Sequence, residues 1–478
     1  MISSGDSNSK ILTTSPRGVQ EVPDDAPLLN DAPHDDTWFR RGVAVYKGLN
    51  STDPEAIWSF QGFSFVGWST PQQASFVKGF VDAVPKGKFV IIDMSYNEAE
   101  WKKWNNASFF GASFIWTTLH NYGGTDGIRG DLARVNNIPF DAILEPRTSS
   151  IIGSGATPEG IDQNPAYHEF VYEQPFRTAP VPNLTAHMIQ RSHQRYGLIE
   201  QNQDVSKAWA FLVDSLYATD MNVQDHTGIA HLQPRGGDVS SLFVLDRYTP
   251  KPIMCKIYGA WQHLLRAAST SAHPGFQTEP FLYDLVNLGR EVLAQIATPA
   301  ALNCSDATAR DTLDKSELGR MGTFYIELLH DADTLVATDT AFLLGPWIEA
   351  ARRWGVNSND CDSHVLAINK NMNKDKCEWF YEWNARTQIT TWNPTPKASP
   401  KIPGGPVDYA AKHWSGLIKD YYGKRAALLM KQALQDQAAG QPLDQSRVDR
   451  RFAQHAYEWT TDMNKYPTHT TGDALQVS

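Results

Sequence analysis

The sequence predicts an α/β domain followed by a large all-α domain. Two observations carry this prediction. In the first third of the chain, four short apolar runs alternate with amphipathic stretches of helical period, as in a parallel sheet covered by helices. After Pro182 the strand-like runs stop, and a 3.6-residue apolar period continues to the C-terminus.

Residues 1–36 are rich in Ser, Pro and Asp and lack apolar periodicity, so a disordered arm is expected there. The α/β part is expected over 37–180 and the helical part over 181–478. Trp38–Leu49 reads as a helix and Ala56–Phe60 as a strand running into Gln61-Gly62-Phe63. Thr70 before Pro71 reads as the cap of an amphipathic helix reaching Val84. Lys88–Ile92 is a strand ending on Asp93, and Phe114–Leu119 is a strand ending on His120-Asn121. A helical segment is expected over Asp126–Val135. The stretch Ser149–Asn164, SSIIGSGATPEGIDQN, then reads as a buried strand whose C-terminal end opens into a loop carrying Glu159.

Each strand thus runs out into polar or Gly-rich residues at the end where α/β barrels do their chemistry. The count is short, because a closed barrel of this kind needs about eight strands. Two open edges would be left unpaired. Either the sheet is an open doubly wound one, or the chain supplies half of a barrel.

In the second part, Asp204 is expected to cap a helix that puts Ala208, Trp209, Phe211, Leu212, Leu216 and Tyr217 on one broad face. Further helices are expected over Ile253–Ala268, Pro280–Ile296, Leu318–His330, Phe342–Trp354, Glu378–Trp392, Val407–Ala439 and Asp444–Asn464, with Gly423 breaking or bending the long one. Pro394–Pro406 reads as a Pro/Gly-rich loop, and no fixed-period repeat is present.

Composition narrows the function classes. A chain 41% hydrophobic and 20% charged is expected to pack as a globular protein. It holds no apolar run long enough for a membrane span. A net charge of −10 argues against nucleic acid as a partner, since phosphate contacts need a basic face. No metal-ligand spacing, GxSxG, phosphate loop or dinucleotide fingerprint occurs, so no cofactor and no metal is expected. Four glycosylation sequons, at Asn50, Asn106, Asn183 and Asn303, fit the secretory pathway, although the N-terminus has no apolar core of signal-peptide length. Cys361 and Cys377 flank one polar loop and either form a disulfide or remain thiols, as Cys255 and Cys304 do.

Glycoside hydrolysis needs two carboxylates facing the scissile bond. Asp93, Glu98 and Glu159 stand near strand ends. Helix capping and loop hydrogen bonding use the same residue types. His120 and Asn121 could bind sugar hydroxyls or satisfy a turn. His226 lies in a polar inter-helix loop, and Trp392 and Tyr409 border the Pro/Gly loop.

These residues resemble a known family, the α-N-acetylglucosaminidases of glycoside hydrolase family 89. Gly153–Asn164 fits its G-[ST]-G-x-x-P-E-G-I-x-Q-N pattern throughout, and Phe114–Gly124 is similar to its F-I-W-x-x-L-H-N-[FY]-G-G. Phe342–Trp347 resembles F-L-L-G-x-W, and Asp408-Tyr409-Ala410 through Trp414–Leu417 to Asp420-Tyr421-Tyr422 resembles D-Y-A-x-K-x-[WL]-[SA]-G-L-[IV]-x-x-Y-Y. The resemblance implies a TIM barrel, a helical C-terminal domain, and retaining hydrolysis of a glycan with terminal α-linked N-acetylglucosamine. It implies Glu159 as nucleophile. Asn121, Asn164, His226, Trp392 and Tyr409 match positions that line the sugar pocket or sit beside it.

The departures are as specific. The family's Q-G-W is Gln61-Gly62-Phe63 here, so Phe63 replaces a pocket tryptophan. The D-T-F-N-E motif that holds the acid/base has no match in Val22–Thr37. The expected fold is therefore the C-terminal half of a (β/α)8 TIM barrel followed by an all-helical domain, in a truncated chain lacking the acid/base. The alternative is a non-catalytic carbohydrate-binding or helical scaffold remnant of the family.

Overall fold

The computed structural model describes residues 34–65, 70–95, 101, 109–119, 127–145, 150–158, 164–218, 251–309, 315–357, 377–390, 410, 412–462 and 464–478. The arm expected over 1–36 falls outside them except for its last three residues. The chain divides into two compact units, Met1–His120 with Asp131–Pro158 and Ala166–Pro182, and Asn121–Gly130 with Glu159–Pro165 and Asn183–Ser478.

The first unit holds a four-stranded sheet of β1 (Trp58–Gln61), β2 (Phe89–Ser95), β3 (Ser113–Thr118) and β4 (Ile151–Ala156), in spatial order β1-β2-β3-β4. All three pairings are parallel, with Phe60 opposite Ile91, Ile91 opposite Phe114 and Thr117 opposite Gly155. Among the described residues the outer edges of β1 and β4 carry no partner strand. Gly62 lets the chain leave β1 close to β2, since a Cβ there would lie 2.7 Å from the Ile92 carbonyl oxygen.

Helices α1 (Asp36–Thr52), α2 (Pro71–Asp82), α3 (Leu132–Leu144) and α4 (Pro165–Glu173) complete the unit. The start of α2 is as the sequence predicts: Thr70 and Gln73 form a reciprocal capping box, with Pro71 in the first turn. Ala74, Val77 and Phe80 of α2 are buried. The Trp38 ring of α1 meets Phe76 at 5.3 Å and Phe80 at 5.0 Å, and Trp58 of β1 meets Phe80 at 5.9 Å. Phe80, the buried ring at the centre of these contacts, contributes about 1.5–3 kcal/mol.

Two elements differ from expectation. The helix expected over Asp126–Val135 begins only at Leu132, because Gly130 takes φ +142° and Asp131 caps the helix by accepting from the Arg134 N–H. Helix α4 had no counterpart in the sequence reading. It starts on Pro165, whose missing N–H costs nothing at a first helical position.

The second unit is helical among its described residues. Its helices are α5 (Leu184–Arg195), α6 (Gln203–Val213), α7 (Lys251–Thr270), α8 (Glu279–Ala309), α9 (Lys315–Val336), α10 (Leu344–Asn357), α11 (Cys377–Thr390), α12 (Lys424–Ala438), α13 (Gln445–Thr461) and the short α14 (Ala474–Val477). The cap of α6 is Asn202, not Asp204, which stands in the first turn and accepts from His263 at 2.6 Å. The helix expected over Val407–Ala439 is interrupted. The Ser415 N–H donates to the Phe342 carbonyl at 2.8 Å, and Gly416 takes φ +90°, where a Cβ would lie 2.6 Å from the Tyr466 ring. The helix then begins as a π-helical turn, Ile418–Gly423, and continues as α12. Gly423 therefore joins two helical geometries instead of ending one.

Cys255 is a free, exposed thiol. Cys361 lies outside the described residues. No described helix is long and apolar enough to cross a membrane, and no metal-binding cluster occurs among the described residues.

Two buried polar centres fix this unit. Arg386 of α11 donates to Glu382 at 2.8 and 3.0 Å, to the Trp459 carbonyl at 3.1 Å and to the Asn464 carbonyl at 2.9 Å. Its guanidinium also lies 4.9 Å from the Trp459 ring centre, and Glu382 accepts a second time from Arg352 of α10 at 2.6 Å. In α9, Asp333 accepts from the Gly416 and Lys419 N–H groups at 2.8 and 3.1 Å and from the Ser415 hydroxyl at 3.2 Å.

Arg386→Met is expected to lower the unfolding free energy by about 3 kcal/mol or more, because it leaves Glu382 with one of its two cations in a buried site. Urea unfolding checks this, and a loss within experimental error would contradict it. Burial pushes the Asp333 carboxyl above its ordinary range, although the Gly416 and Lys419 N–H groups and the Ser415 hydroxyl pull the other way. The folded carboxyl therefore holds its proton more tightly than the unfolded one, whose pKa is about 3.9. Its contribution is fully present below that value and is lost as pH rises through the folded pKa. The stability difference between the native chain and Asp333→Asn should shrink as pH rises across the acid range. A difference that grows would contradict the assignment.

Candidate functional site

Parallel pairing brings all four strands to one carboxyl edge, at Gln61, Ser95, Thr118 and Ala156. Hydroxyls tie this edge together. The Thr117 hydroxyl donates to the Asp93 carbonyl at 2.7 Å and lies 3.3 Å from the Thr157 hydroxyl, while Thr118 and Tyr167 share a hydrogen bond of 2.7 Å. Asp93 itself is 1% exposed and stands opposite Trp116 in the β2–β3 register. Trp116 is buried, and its indole N–H has no hydrogen-bond partner among the described residues.

Phe63 sits in the 3-10 turn that follows β1 and is 53% exposed. Its ring therefore stands open at the carboxyl end of β1. Glu159 comes three residues after Ala156, the last residue of β4. It lies outside the described residues, as do Glu98, His120, Asn121, His226, Trp392 and Tyr409.

In the second unit Asn164 is the centre of a buried network. It is 2% exposed. Its amide donates to the Arg129 carbonyl at 2.5 Å, and its carbonyl oxygen accepts from the Tyr217 hydroxyl at 2.9 Å. The adjoining Gly130 N–H donates to the Leu216 carbonyl at 3.1 Å, and the Ile128 N–H donates to the Glu291 carboxylate of α8 at 3.3 Å. Glu291 also accepts from Gln295 at 2.8 Å and from Arg290 at 3.4 Å, and Arg290 donates to Asn287 and to His413 Nδ1 at 2.8 Å. Ile128–Gly130, Asn164, the segment just after α6 and the middle of α8 are thus fixed to one another.

Burial raises the Tyr217 phenol well above its ordinary range, and the nearby Arg191 offsets only part of this. Tyr217 therefore stays protonated at physiological pH and remains a donor to Asn164. A second buried group lies close by in the chain. Asp284 accepts from Arg195 at 2.9 and 3.2 Å and from Tyr196 at 2.9 Å, and Trp209 donates to Tyr196 at 3.2 Å.

Of the residues singled out from sequence, the structure describes Asp93 and Phe63 in the first unit and Asn164 in the second. Sequence reasoning missed Arg129, Tyr217 and Glu291. Arg129 had a visible signal, a lone cation in the Gly-rich segment after a strand. Tyr217 was read as core, which is where it lies, but its hydroxyl role has no sequence signature. Glu291 looked like any helix carboxylate.

A parallel β/α sheet whose carboxyl edge gathers polar side chains, followed by a large helical part, is the architecture of an α/β-barrel protein with an appended helical domain. The chain belongs to the α-N-acetylglucosaminidase family: the profile of that family's C-terminal domain matches residues 190–478, and the profile of its TIM-barrel domain matches residues 31–178. Human α-N-acetylglucosaminidase is 30% identical over 442 residues, which cover 91% of this chain and 53% of the human protein. A family 89 glycoside hydrolase from Clostridium perfringens, solved with PUGNAc, shares the fold at a TM-score of 0.73 and 19% identity, covering 92% of this chain and 46% of that one. The Clostridium perfringens enzyme solved with its substrate GlcNAc-α-1,4-galactose gives a TM-score of 0.72 at 20% identity, with the same coverage. The chain spans about half the length of these relatives.

Tyr217→Phe should lower stability by about 1–3 kcal/mol, the cost of leaving a buried acceptor on Asn164 without its donor. It should also speed hydrogen exchange at the Gly130 amide. Unchanged exchange there would mean that Asn164 does not hold the loop.

Proposed function

We propose that this chain forms part of a retaining α-N-acetylglucosaminidase in which Glu159 is the nucleophile. One observation carries the reading: the unbroken pattern Gly153–Asn164 follows strand β4 in a chain that belongs to this family. The Glu159 carboxylate attacks the anomeric carbon, and the glycosidic bond to the leaving oxygen breaks. A second carboxylic acid about 5–5.5 Å away protonates that oxygen, and water then hydrolyses the glycosyl ester with the same group acting as base. Within these 478 residues no D-T-F-N-E motif supplies that second acid.

Asn121, His226, Trp392 and Tyr409 line the sugar pocket in this reading, and Phe63 supplies an open aromatic face. Asn164 acts beside the pocket. Its amide and carbonyl are engaged by Arg129 and Tyr217, so it holds the loops that carry pocket residues. The ligand is a glycan with terminal α-linked N-acetylglucosamine, met in the secretory pathway, in a lysosome or vacuole, or outside the cell.

A second reading is a non-catalytic carbohydrate-binding or scaffold remnant, favoured by Phe63 in place of the family's tryptophan. A dinitrophenyl α-N-acetylglucosaminide separates the two, since its leaving group needs no acid. The expected result is slow formation of a covalent sugar ester on Glu159, found by peptide mass spectrometry and absent in Glu159→Gln. An alkyl α-N-acetylglucosaminide should not turn over. Rapid cleavage of the alkyl substrate would show that the acid is present in this chain. Absence of any ester would favour the remnant.

A further inference from the structure

Helices α12 and α13 form an antiparallel pair joined by residues 439–444. Tyr421, just before α12, receives a hydrogen bond from His455 late in α13 at 3.0 Å, and Asp436 near the end of α12 accepts from the Asp444 N–H at 3.0 Å. Leu429, Val448 and Phe452 close the pair on its inner side. On its outer side the two helices leave a groove of about 670 Å³.

Lys424, Lys431, Arg447, Arg450 and Arg451 line this groove, with Glu458 as the one carboxylate among the lining residues. Helical spacing explains the convergence. Lys424 and Lys431 are seven residues apart on one face of α12, and Arg450, Arg451, Gln454 and Glu458 lie three, four, seven and eleven residues after Arg447, on one face of α13. Ala427 and Leu428 supply apolar surface between the charges.

Two of the cations have carboxylate partners: Lys424 lies 3.3 Å from Asp420, and Arg447 lies 3.6 Å from Asp436 and 3.4 Å from Asp444. Arg451 also acts on Asp436 through space, and Lys431 and Arg450 pair with no carboxylate among the described residues. His455 adds no charge at neutral pH, because burial lowers its pKa, with Arg425 and Lys424 acting the same way against its bond to Tyr421 and the pull of Glu458. The groove is therefore positive at every physiological pH, on a chain whose net charge is −10.

We propose that this groove binds an oligoanion carrying two or more sulfate or phosphate groups. Arginine forks match tetrahedral oxyanions in a bidentate geometry, and lysine adds point charge. The lining from Arg447 to Glu458 runs about 16 Å along α13 at 1.5 Å per residue, long enough for several such groups in line. One exposed ion pair contributes little and is screened by salt, so a single phosphate binds weakly and several linked ones bind together.

Calorimetric titration of the full chain at low salt tests this with tripolyphosphate, persulfated maltotetraose and unsulfated maltotetraose. The expected result is saturable binding of one or both anions at one site per chain, no binding of the neutral sugar, and at least a tenfold loss in Lys431→Gln/Arg450→Gln/Arg451→Gln. The relative affinities identify the source, sulfate on a sugar or a phosphate chain. Glutamine keeps helix propensity at these positions, and an unchanged unfolding midpoint verifies the fold. Arg40→Gln/Lys47→Gln, which removes two cations from α1, should leave binding unchanged. Failure of both anions to bind, full binding by the triple variant, or equal weakening by the α1 variant would overturn the proposal. None of these readouts depends on Glu159.

Discussion

Asn164 imposes the constraint on which the candidate site rests. A buried primary amide must satisfy both its donor and its acceptor, because an unpaired polar group in an apolar interior costs about as much as a hydrogen bond is worth. Asn164 meets this by donating to the Arg129 carbonyl and accepting from the Tyr217 hydroxyl. Arg129 lies in the segment after β3, Asn164 itself comes after β4, and Tyr217 follows α6. One side chain therefore holds three segments that are far apart in sequence. Glu291 does similar work from α8 by accepting from the Ile128 backbone. Loops of functional proteins need rigid support, and here polar pairs supply it.

The same logic recurs deeper in the helical unit. Arg386 and Asp333 are buried charges with several partners each, and in both cases the partners include backbone groups of irregular segments. Asn464 follows the end of α13 and Gly416 precedes the helical turn Ile418–Gly423, so their carbonyl or N–H groups need partners outside any helix. The buried charges are thus best understood as anchors for chain ends. Apolar packing, such as Tyr283 stacked on Phe342 at 5.3 Å, fills the space between them.

Much of the fold was legible in the chain. The four strands were visible as apolar β-branched runs, and the helix opened by Thr70 and Pro71 was visible through its capping pattern, because these signals are local. The misplaced elements share a different cause. The start of α3 depends on the backbone conformation of Gly130, the interruption before α12 depends on Gly416 lying against Tyr466, and the cap of α6 fell to Asn202 because its side chain reaches two backbone N–H groups. Each is a choice among residues of similar local preference. For the site, pattern matching picked out Asn164 but not Arg129, Tyr217 or Glu291, since partners brought together by folding leave no fixed spacing in the chain.

By itself, then, the sequence determined the order and type of most elements, the parallel character of the sheet and the family to which the chain belongs. Those properties follow from periodicity, capping chemistry and motifs a few residues long. Only the tertiary structure decided that Asn164 is engaged by protein partners, that Phe63 stands open at the end of β1, and that five cations of two helices line one groove. These depend on distance in space, and a hydrogen bond or a shared groove exists only once burial and helix packing have brought its members within reach.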